Sequence, residues 1–246
     1  MPSAAELDER WSRSWPATRL RGFLVCGVLG ACMDLYTRRR LVGREHADAV
    51  DGPVVFVANH SSHMDTPALL RALPGRRRRR MVVAAAVDYF YTRRLNALAA
   101  SLVFGTVPVD RDGGGLGPEA TAHLREWIDG GGSLVMFAQG TRSEDGSVSR
   151  LKSGAAVLAS QHEVPLVPVY LSGTRDAMPR GHHWMAFRDG KPWGARHPVE
   201  IRFGEPMYPR EGEEPADTME RVRLFLTESG ATTVPDPSVA RERQPV

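Results

Sequence analysis

The sequence predicts an α/β fold: a single mixed, mostly parallel sheet flanked by helices, preceded by an N-terminal membrane-interface helical segment. Two observations carry the sheet. Short apolar runs rich in β-branched residues recur at 54–57, 81–86, 102–109, 133–137, 166–171 and 199–203, and such runs read as buried strands. Between and after them lie stretches with helical spacing at 66–72, 89–100, 117–128, 153–161 and 214–229. Strands that alternate with helices form a layered domain whose sites collect at strand ends.

The third observation is the apolar stretch from Gly22 to Met33, closed by Asp34. It is too short to span a bilayer, which takes ~20 apolar residues. Trp11, Trp15, Arg19 and Arg21 precede it, the aromatic and basic flank of a helix lying in a membrane interface. The expectation is a monotopic or peripheral anchor at the cytoplasmic face of a membrane; the competing reading is a helix that packs on the domain. Residues 1–42 then form the interfacial segment, 43–230 the α/β domain, and 231–246, with Pro235 and Pro237 and a charged finish, a poorly ordered tail.

Composition agrees with one globular core: 246 residues, 42% apolar and 25% charged. The net charge of +3 is modest, but arginines cluster at Arg38 to Arg40 and at Arg76 to Arg80. Such clusters suit an anionic membrane surface or a phosphorylated substrate. The second run follows Pro74-Gly75 and reads as a loop, solvated unless an anion is near. No aromatic-interleaved basic surface accompanies it, so nucleic acid is not an expected partner. Cys26 and Cys32, six residues apart, stand about 240° apart on a helix and cannot pair there. Two cysteines and no signal-peptide pattern indicate a reducing compartment.

The chemistry concentrates after the first strand, in Asn59-His60-Ser61-Ser62-His63-Met64-Asp65. On one continuous helix His60 and Asp65 would be ~500° apart and share no face. With His60 on the strand-to-helix loop and Asp65 in the first helical turn, the carboxylate can orient the imidazole as a general base. Alternatively, Asp65 merely caps the helix that Pro67 begins, and His60 is a loop residue. A serine hydrolase reading of Ser61 and Ser62 lacks the nucleophile-elbow pattern. Further along, Gly105 to Arg111 ends a strand before a glycine loop, Gly113 to Gly115, and Phe137 to Ser143 places Arg142 just beyond another strand. Lys152 follows ten residues later. Arg111, Arg142 and Lys152 converging on one sheet edge would hold an anion. His182, His183 and His197 lack the spacing and acidic partners of a zinc site and read as loop residues.

In this order the segments resemble the four motif blocks of the PlsC-like glycerolipid acyltransferase family, the lysophosphatidic acid acyltransferases. Asn59 to Asp65 fits its NHxSxxD block, including Ser62, and Gly105 to Arg111 its second. Phe137 to Ser143 is similar to FPEGTRS, and Val164 to Val169 to the apolar, proline-bearing fourth block. The resemblance implies a phospholipid-biosynthetic O-acyltransferase with no metal, no cofactor and no acyl-enzyme. Acyl-CoA or acyl-carrier protein is its co-substrate, and a lysophospholipid, 1-acyl-sn-glycerol-3-phosphate, its acceptor. His60 and Asp65 become the catalytic pair, with Asn59, Ser62, Arg111, Gln139, Gly140, Thr141, Arg142 and Lys152 around the substrates. One departure stands out: Ala138-Gln139 replaces Pro-Glu. Loss of that carboxylate raises a different hydroxyl acceptor as an alternative, alongside a lipid-binding relative without catalysis.

Overall fold

The computed structural model describes residues 10–86, 94–109, 121–191 and 193–234. Its sheet has seven strands: β1 (Thr37–Val42), β2 (Val55–Ala58), β3 (Met81–Ala86), β4 (Thr106–Val109), β5 (Ser133–Phe137), β6 (Leu166–Ser172) and β7 (His197–Phe203). They lie side by side in the order β1-β7-β6-β2-β5-β3-β4. The block from β6 to β4 is parallel, whereas β7 runs antiparallel to β6 and β1 follows β7. The mixed, mostly parallel sheet is therefore present. Its topology puts the starts of β1 and β7 at the same end as the finishes of β2 and β6.

Alternation along β2 shows how the core is divided. Phe56 and Ala58 enter one apolar cluster, and Val55 and Val57 enter the other, as the two-residue period of a strand requires. On the first face lies α4 (Asp65–Ala72), packed under an N-terminal helical segment made of α1 (Trp15–Phe23), a π-helical turn (Leu24–Val28) and α2 (Leu29–Tyr36). A short α3 (Arg44–Asp48) leads from β1 toward β2. The second face is covered by α7 (Ala122–Asp129), α8 (Gly154–Gln161) and α10 (Pro215–Glu228). Strands buried on both faces explain why β2 reads as a continuous apolar run.

Three sequence expectations change. The run at 102–109 is not one strand, because α6 (Arg94–Phe104) extends through its first half and β4 starts only at Thr106. Gly105, at φ +69°, ends the helix, and a Cβ there would stand 2.8 Å from the Arg21 guanidinium carbon. A short apolar run does not by itself separate buried helix from strand. Second, the helical segment expected over residues 1–42 stops at Tyr36: Thr37–Val42 is edge strand β1, with the side chains of Arg38 to Arg40 exposed. Charge on an edge strand blocks further pairing and hides the strand from pattern reading. Third, His197 is a buried residue of β7 rather than a loop residue.

The arginine run also departs from expectation. Arg76 to Arg79 belong to α5 (Gly75–Arg79), and most of the run serves the protein's own backbone. Arg76 pairs with Asp48 at 2.9 Å. Arg77 is buried and donates to the Val50 and Gly52 carbonyls. Arg78 reaches Leu73 O at 3.1 Å, near the end of α4, and Arg80 donates to Gly130 O. A loop of solvated cations waiting for an anion is thus replaced by a clamp that joins α4, the 48–52 turn and the turn after α7.

The N-terminal segment is docked on one face and open on the other. Arg21, 1% exposed, faces inward instead of toward a headgroup layer. It donates to Ser101 O at 2.8 Å and Leu102 O at 3.0 Å in the last turn of α6, and to Ser12 O at 2.7 Å. A cation against those carbonyls also meets the negative end of the helix dipole. Asp34 makes a two-pronged ion pair with Arg71 of α4. The opposite face exposes Trp11, Trp15, Leu20, Phe23, Val28 and Leu35. Among the described residues, no helix is long and apolar enough to cross a membrane. After α10 the chain pairs with Val148 through Thr232 and Val234, so order extends past the expected boundary at 231; the tail beyond Val234 lies outside the described residues.

Replacing Arg77 by methionine removes the donor from the buried Val50 carbonyl and should cost about 1–3 kcal/mol. Arg79→Gln, on the exposed side of the same turn, should change stability by less than about 0.5 kcal/mol. Urea unfolding of the two variants checks the contrast; equal effects would mean that the clamp is not structural.

Candidate active site

The site begins where β2 ends. Ala58 pairs with Phe137 of β5 on one side and Val169 of β6 on the other, so the chain leaves β2 between two strands that finish at the same edge. Asn59 is held at that exit. Its Nδ2 donates to Leu171 O at 2.9 Å and its Oδ1 accepts from Leu171 N at 2.8 Å. This two-bond match to one residue's backbone fixes where the loop starts.

The loop then turns back on Asp65, the first residue of α4. Asp65 is fully buried, and one oxygen, Oδ2, accepts three hydrogen bonds: from His60 Nδ1 at 2.8 Å, Ser61 N at 2.7 Å and Ser62 N at 2.8 Å. The backbone also closes a turn from Asp65 N to Ser62 O at 3.1 Å. Capping and orienting are therefore one arrangement. The carboxylate satisfies the amides ahead of the helix and holds the imidazole with the same atom. A carboxylate only accepts, so the proton of the neutral ring sits on Nδ1 and the lone pair on Nε2. The ring is further fixed by stacking on Phe137, with centroids 4.0 Å apart and planes inclined by 19°. With 17% of its side chain exposed, His60 reaches the surface of a nearly closed loop.

Ser62 points into the protein. It is fully buried, its hydroxyl donating to Met178 O at 2.8 Å and accepting from Met64 N at 3.2 Å. Ser61 lies 3.5 Å from the Thr174 hydroxyl, at the start of α9 (Thr174–Ala177). Neither serine oxygen bonds to the imidazole, which removes the hydrolase reading. Asn59 and Ser62, expected around the substrates, both pin the loop, and Asn59 also lines a cavity with Ser61 and Leu171.

The segment after β5 supplies the second wall. Gly140 takes φ +71° in a tight turn closed by its N–H on Phe137 O at 2.9 Å. A Cβ at Gly140 would stand 3.0 Å from Lys152 Cε, so the missing side chain lets Lys152 lie across the turn. Lys152 N is bonded to Ala138 O at 2.8 Å, and Ser143 N to His60 O at 2.8 Å. The 139–143 turn is thereby strapped to the histidine loop, with Thr141 exposed and Arg142 partly so. Arg111 lies outside the described residues, as does the glycine loop that follows it; β4, which precedes them, runs parallel to β2 and β5 by way of β3.

Gln139 occupies the position of the unusual residue, and it is buried. Its Oε1 accepts from His60 N at 3.1 Å, while its Nε2 donates to Ser147 O at 3.1 Å and Ser149 Oγ at 3.3 Å. The carboxamide thus bridges two backbone groups behind the histidine. Expected around the substrates, it spends both ends of its side chain on the protein itself. His63 was not foreseen as part of the site. Burial, and then the neighbouring charges of Arg142 and His60, push its imidazole down to about 4, so at neutral pH it is an uncharged neighbour of the cations. Its position beside His60 in sequence was the available signal, masked by the stronger spacing of His60 and Asp65. Among the described residues, no cluster of His, Cys, Asp and Glu is arranged to hold a metal ion.

A buried carboxylate that orients an imidazole at a strand end, with cations on the next turn, can remove a proton from a hydroxyl near an anionic group. Known proteins resemble this chain in sequence and in fold. A 1-acyl-sn-glycerol-3-phosphate acyltransferase of Brassica napus chloroplasts is 30% identical over 145 residues, 56% of this chain and 38% of the relative. The human 1-acyl-sn-glycerol-3-phosphate acyltransferase alpha is 30% identical over 154 residues, 58% of this chain and 48% of its own length. The chain thus spans less than half the length of these curated relatives. The crystal structure of PlsC, the 1-acyl-sn-glycerophosphate acyltransferase of Thermotoga maritima, superposes with a TM-score of 0.61 at 23% identity, covering 91% of this chain and 84% of that one; it shares the fold. The profile of the family described as Acyltransferase matches residues 38–172, which takes in the histidine loop, its carboxylate, the 139–143 turn and Lys152, and on that match the chain belongs to the acyltransferase family.

Proposed function

We propose that the protein transfers a fatty acyl group from a thioester donor, acyl-CoA or acyl-carrier protein, to the free hydroxyl of a lysophospholipid, 1-acyl-sn-glycerol-3-phosphate being the acceptor that fits best. The observation that carries this is the Asp65 Oδ2 to His60 Nδ1 bond of 2.8 Å, which leaves Nε2 as the basic atom. The curated relatives named above support the acceptor.

In the proposed reaction, Nε2 takes the hydroxyl proton as the oxygen attacks the thioester carbonyl carbon. The resulting oxyanion collapses, the carbon–sulfur bond breaks, and the thiolate receives the proton back from the imidazolium. A thioester is already activated, so no acyl-enzyme is required and the protein's work is base catalysis, positioning and oxyanion stabilisation. Asp65, buried and bound to Nδ1, stabilises the cationic ring during the step. Arg142 and Lys152, with Arg111, hold the acceptor phosphate. The exposed stripe of Trp11, Trp15, Phe23 and Leu35 lays the N-terminal segment on the cytoplasmic face of a membrane, where a lysophospholipid is dissolved.

Gln139 no longer argues for an unusual acceptor. Its two ends are committed to His60 N and Ser147 O, so it adjusts how the histidine loop is braced and leaves the acceptor side unchanged. A glutamate could still accept from His60 N, and the Ser149 hydroxyl could turn to donate to it. The Ser147 carbonyl could not, and would face a carboxylate oxygen instead of an amide donor.

Two outcomes follow. Gln139→Glu should lower stability by about 1–3 kcal/mol and reduce turnover of lysophosphatidate. Turnover at or above the unsubstituted level would show that the residue acts on the acceptor after all. His60→Ala should lower kcat with lysophosphatidate and acyl-CoA or acyl-carrier protein by ~100-fold or more, in line with loss of a general base, without loss of the folded state. Undiminished transfer would remove the base assignment, and absence of transfer from the unsubstituted protein with either donor would favour a lipid-binding relative.

A further inference from the structure

The connection from α9 to β7, residues 178–196, is not used by the reaction described above, yet it is built and displayed in an unusual way. Trp184 is 52% exposed and Trp193 80% exposed. Trp193 also holds φ +59°, a left-handed conformation that a bulky side chain rarely adopts. The surrounding backbone enforces it: Arg188 N bonds Ala195 O at 2.8 Å and Gly194 N bonds Lys191 O at 3.1 Å. A Cβ at Gly194 would strike Asp189 Oδ1 at 1.8 Å, so the turn beside the tryptophan is closely fitted. Backbone strain that presents a large apolar ring to solvent calls for a functional reason.

The connection's place in the fold supplies one. Since β1 and β7 start at the sheet end where β2 finishes, residues 178–196 stand at the same end as His60. Met178 O receives the Ser62 hydroxyl, which links the connection to the histidine loop. Its other side meets the end of α2. Phe187 packs on Tyr36 with centroids 4.7 Å apart and neighbours Trp193 at 6.4 Å, while Arg196 donates to Asp34 O at 3.2 Å. Trp193 is thus two ring contacts from the α2 terminus, where the exposed apolar stripe ends at Leu35. Arg180, Arg188, Lys191 and Arg196 oppose the single acid Asp189 in this connection, and Arg188 and Lys191 are exposed.

We propose that residues 178–196 form a second lipid-surface contact, with Trp184 and Trp193 in the interfacial layer and Arg188 and Lys191 on anionic headgroups. Together with the N-terminal stripe it sets the sheet end that carries His60 against the bilayer. Tryptophan suits this layer because its ring is apolar and its N–H polar, and the local positive charge matches an anionic leaflet. An acidic carrier protein would meet the same cations but gives no reason to strain the backbone in order to expose an indole. The inference rests on the lipid-surface reading of the previous section, and its test is a binding measurement that does not require catalysis.

Sedimentation with phosphatidylglycerol vesicles should be compared for the full chain carrying His60→Ala alone and with Trp184→Ser and Trp193→Gly added. The added substitutions should weaken partitioning roughly tenfold or more, while the thermal midpoint holds or rises because glycine accepts φ +59° without strain. Trp193→Phe alone should keep most of the binding, and its midpoint gives an independent check on folding. Partitioning unchanged within about twofold would overturn the proposal. So would unchanged partitioning together with lost binding to acyl-carrier protein, which would assign the surface to a protein instead. If none of these proteins sediments with vesicles, the lipid-surface reading itself fails, separately from the claim about the second contact.

Discussion

One buried oxygen organises the candidate site. Asp65 Oδ2 accepts from the His60 ring and from two successive backbone amides, so the shape of the loop and the tautomer of the histidine are set by the same atom. Either function alone would be ordinary: a carboxylate at a helix start caps amides, and a carboxylate beside an imidazole orients it. Their union means that the loop cannot relax without releasing the ring. The surrounding bonds protect that union. Asn59 fixes the entry to the loop, Ser62 ties it to Met178, Gln139 supports its backbone at His60, and Phe137 limits the tilt of the ring.

This arrangement depends on the sheet topology. Parallel β2, β5 and β6 end together, which lets the histidine loop, the 139–143 turn and the segment after Leu171 meet with short spans of chain. The reversal at β7 adds a second consequence: the α2 terminus and the 178–196 connection come to the same edge. Polar chemistry and exposed aromatic surface are thus neighbours because of strand direction. The N-terminal segment completes the arrangement by presenting two faces, one bound through Arg21 and Asp34 to the domain and one left apolar in solvent. Its two sequence readings, packed helix and interfacial helix, describe opposite sides of the same rod.

Much of this was legible in the residues. The central strands were visible as apolar runs because both their faces are buried, and the spacing of Asn59 to Asp65 located the loop once a strand and a helix were placed on either side. What stayed hidden was the direction of polar side chains. Arg21 looks like an interface flank and is a buried helix cap; Arg76 to Arg80 look like a phosphate patch, yet most of them bind backbone carbonyls. Gln139 looks like a substrate contact, and its two ends bond His60 N and Ser147 O. In each case the sequence shows a donor but not which acceptor the tertiary fold brings to it. The same limit applied to β1, whose three arginines obscure a strand that only its pairing with β7 defines.

The most direct test of the central claim is the protonation pattern of the His60 ring, read by nitrogen NMR with the imidazoles neutral and the resonance assigned by its loss in His60→Gln. The proton should be on Nδ1 and the lone pair on Nε2, and this preference should disappear in Asp65→Ala. A proton on Nε2, or an Nδ1 preference that survives removal of Asp65, would contradict the claim.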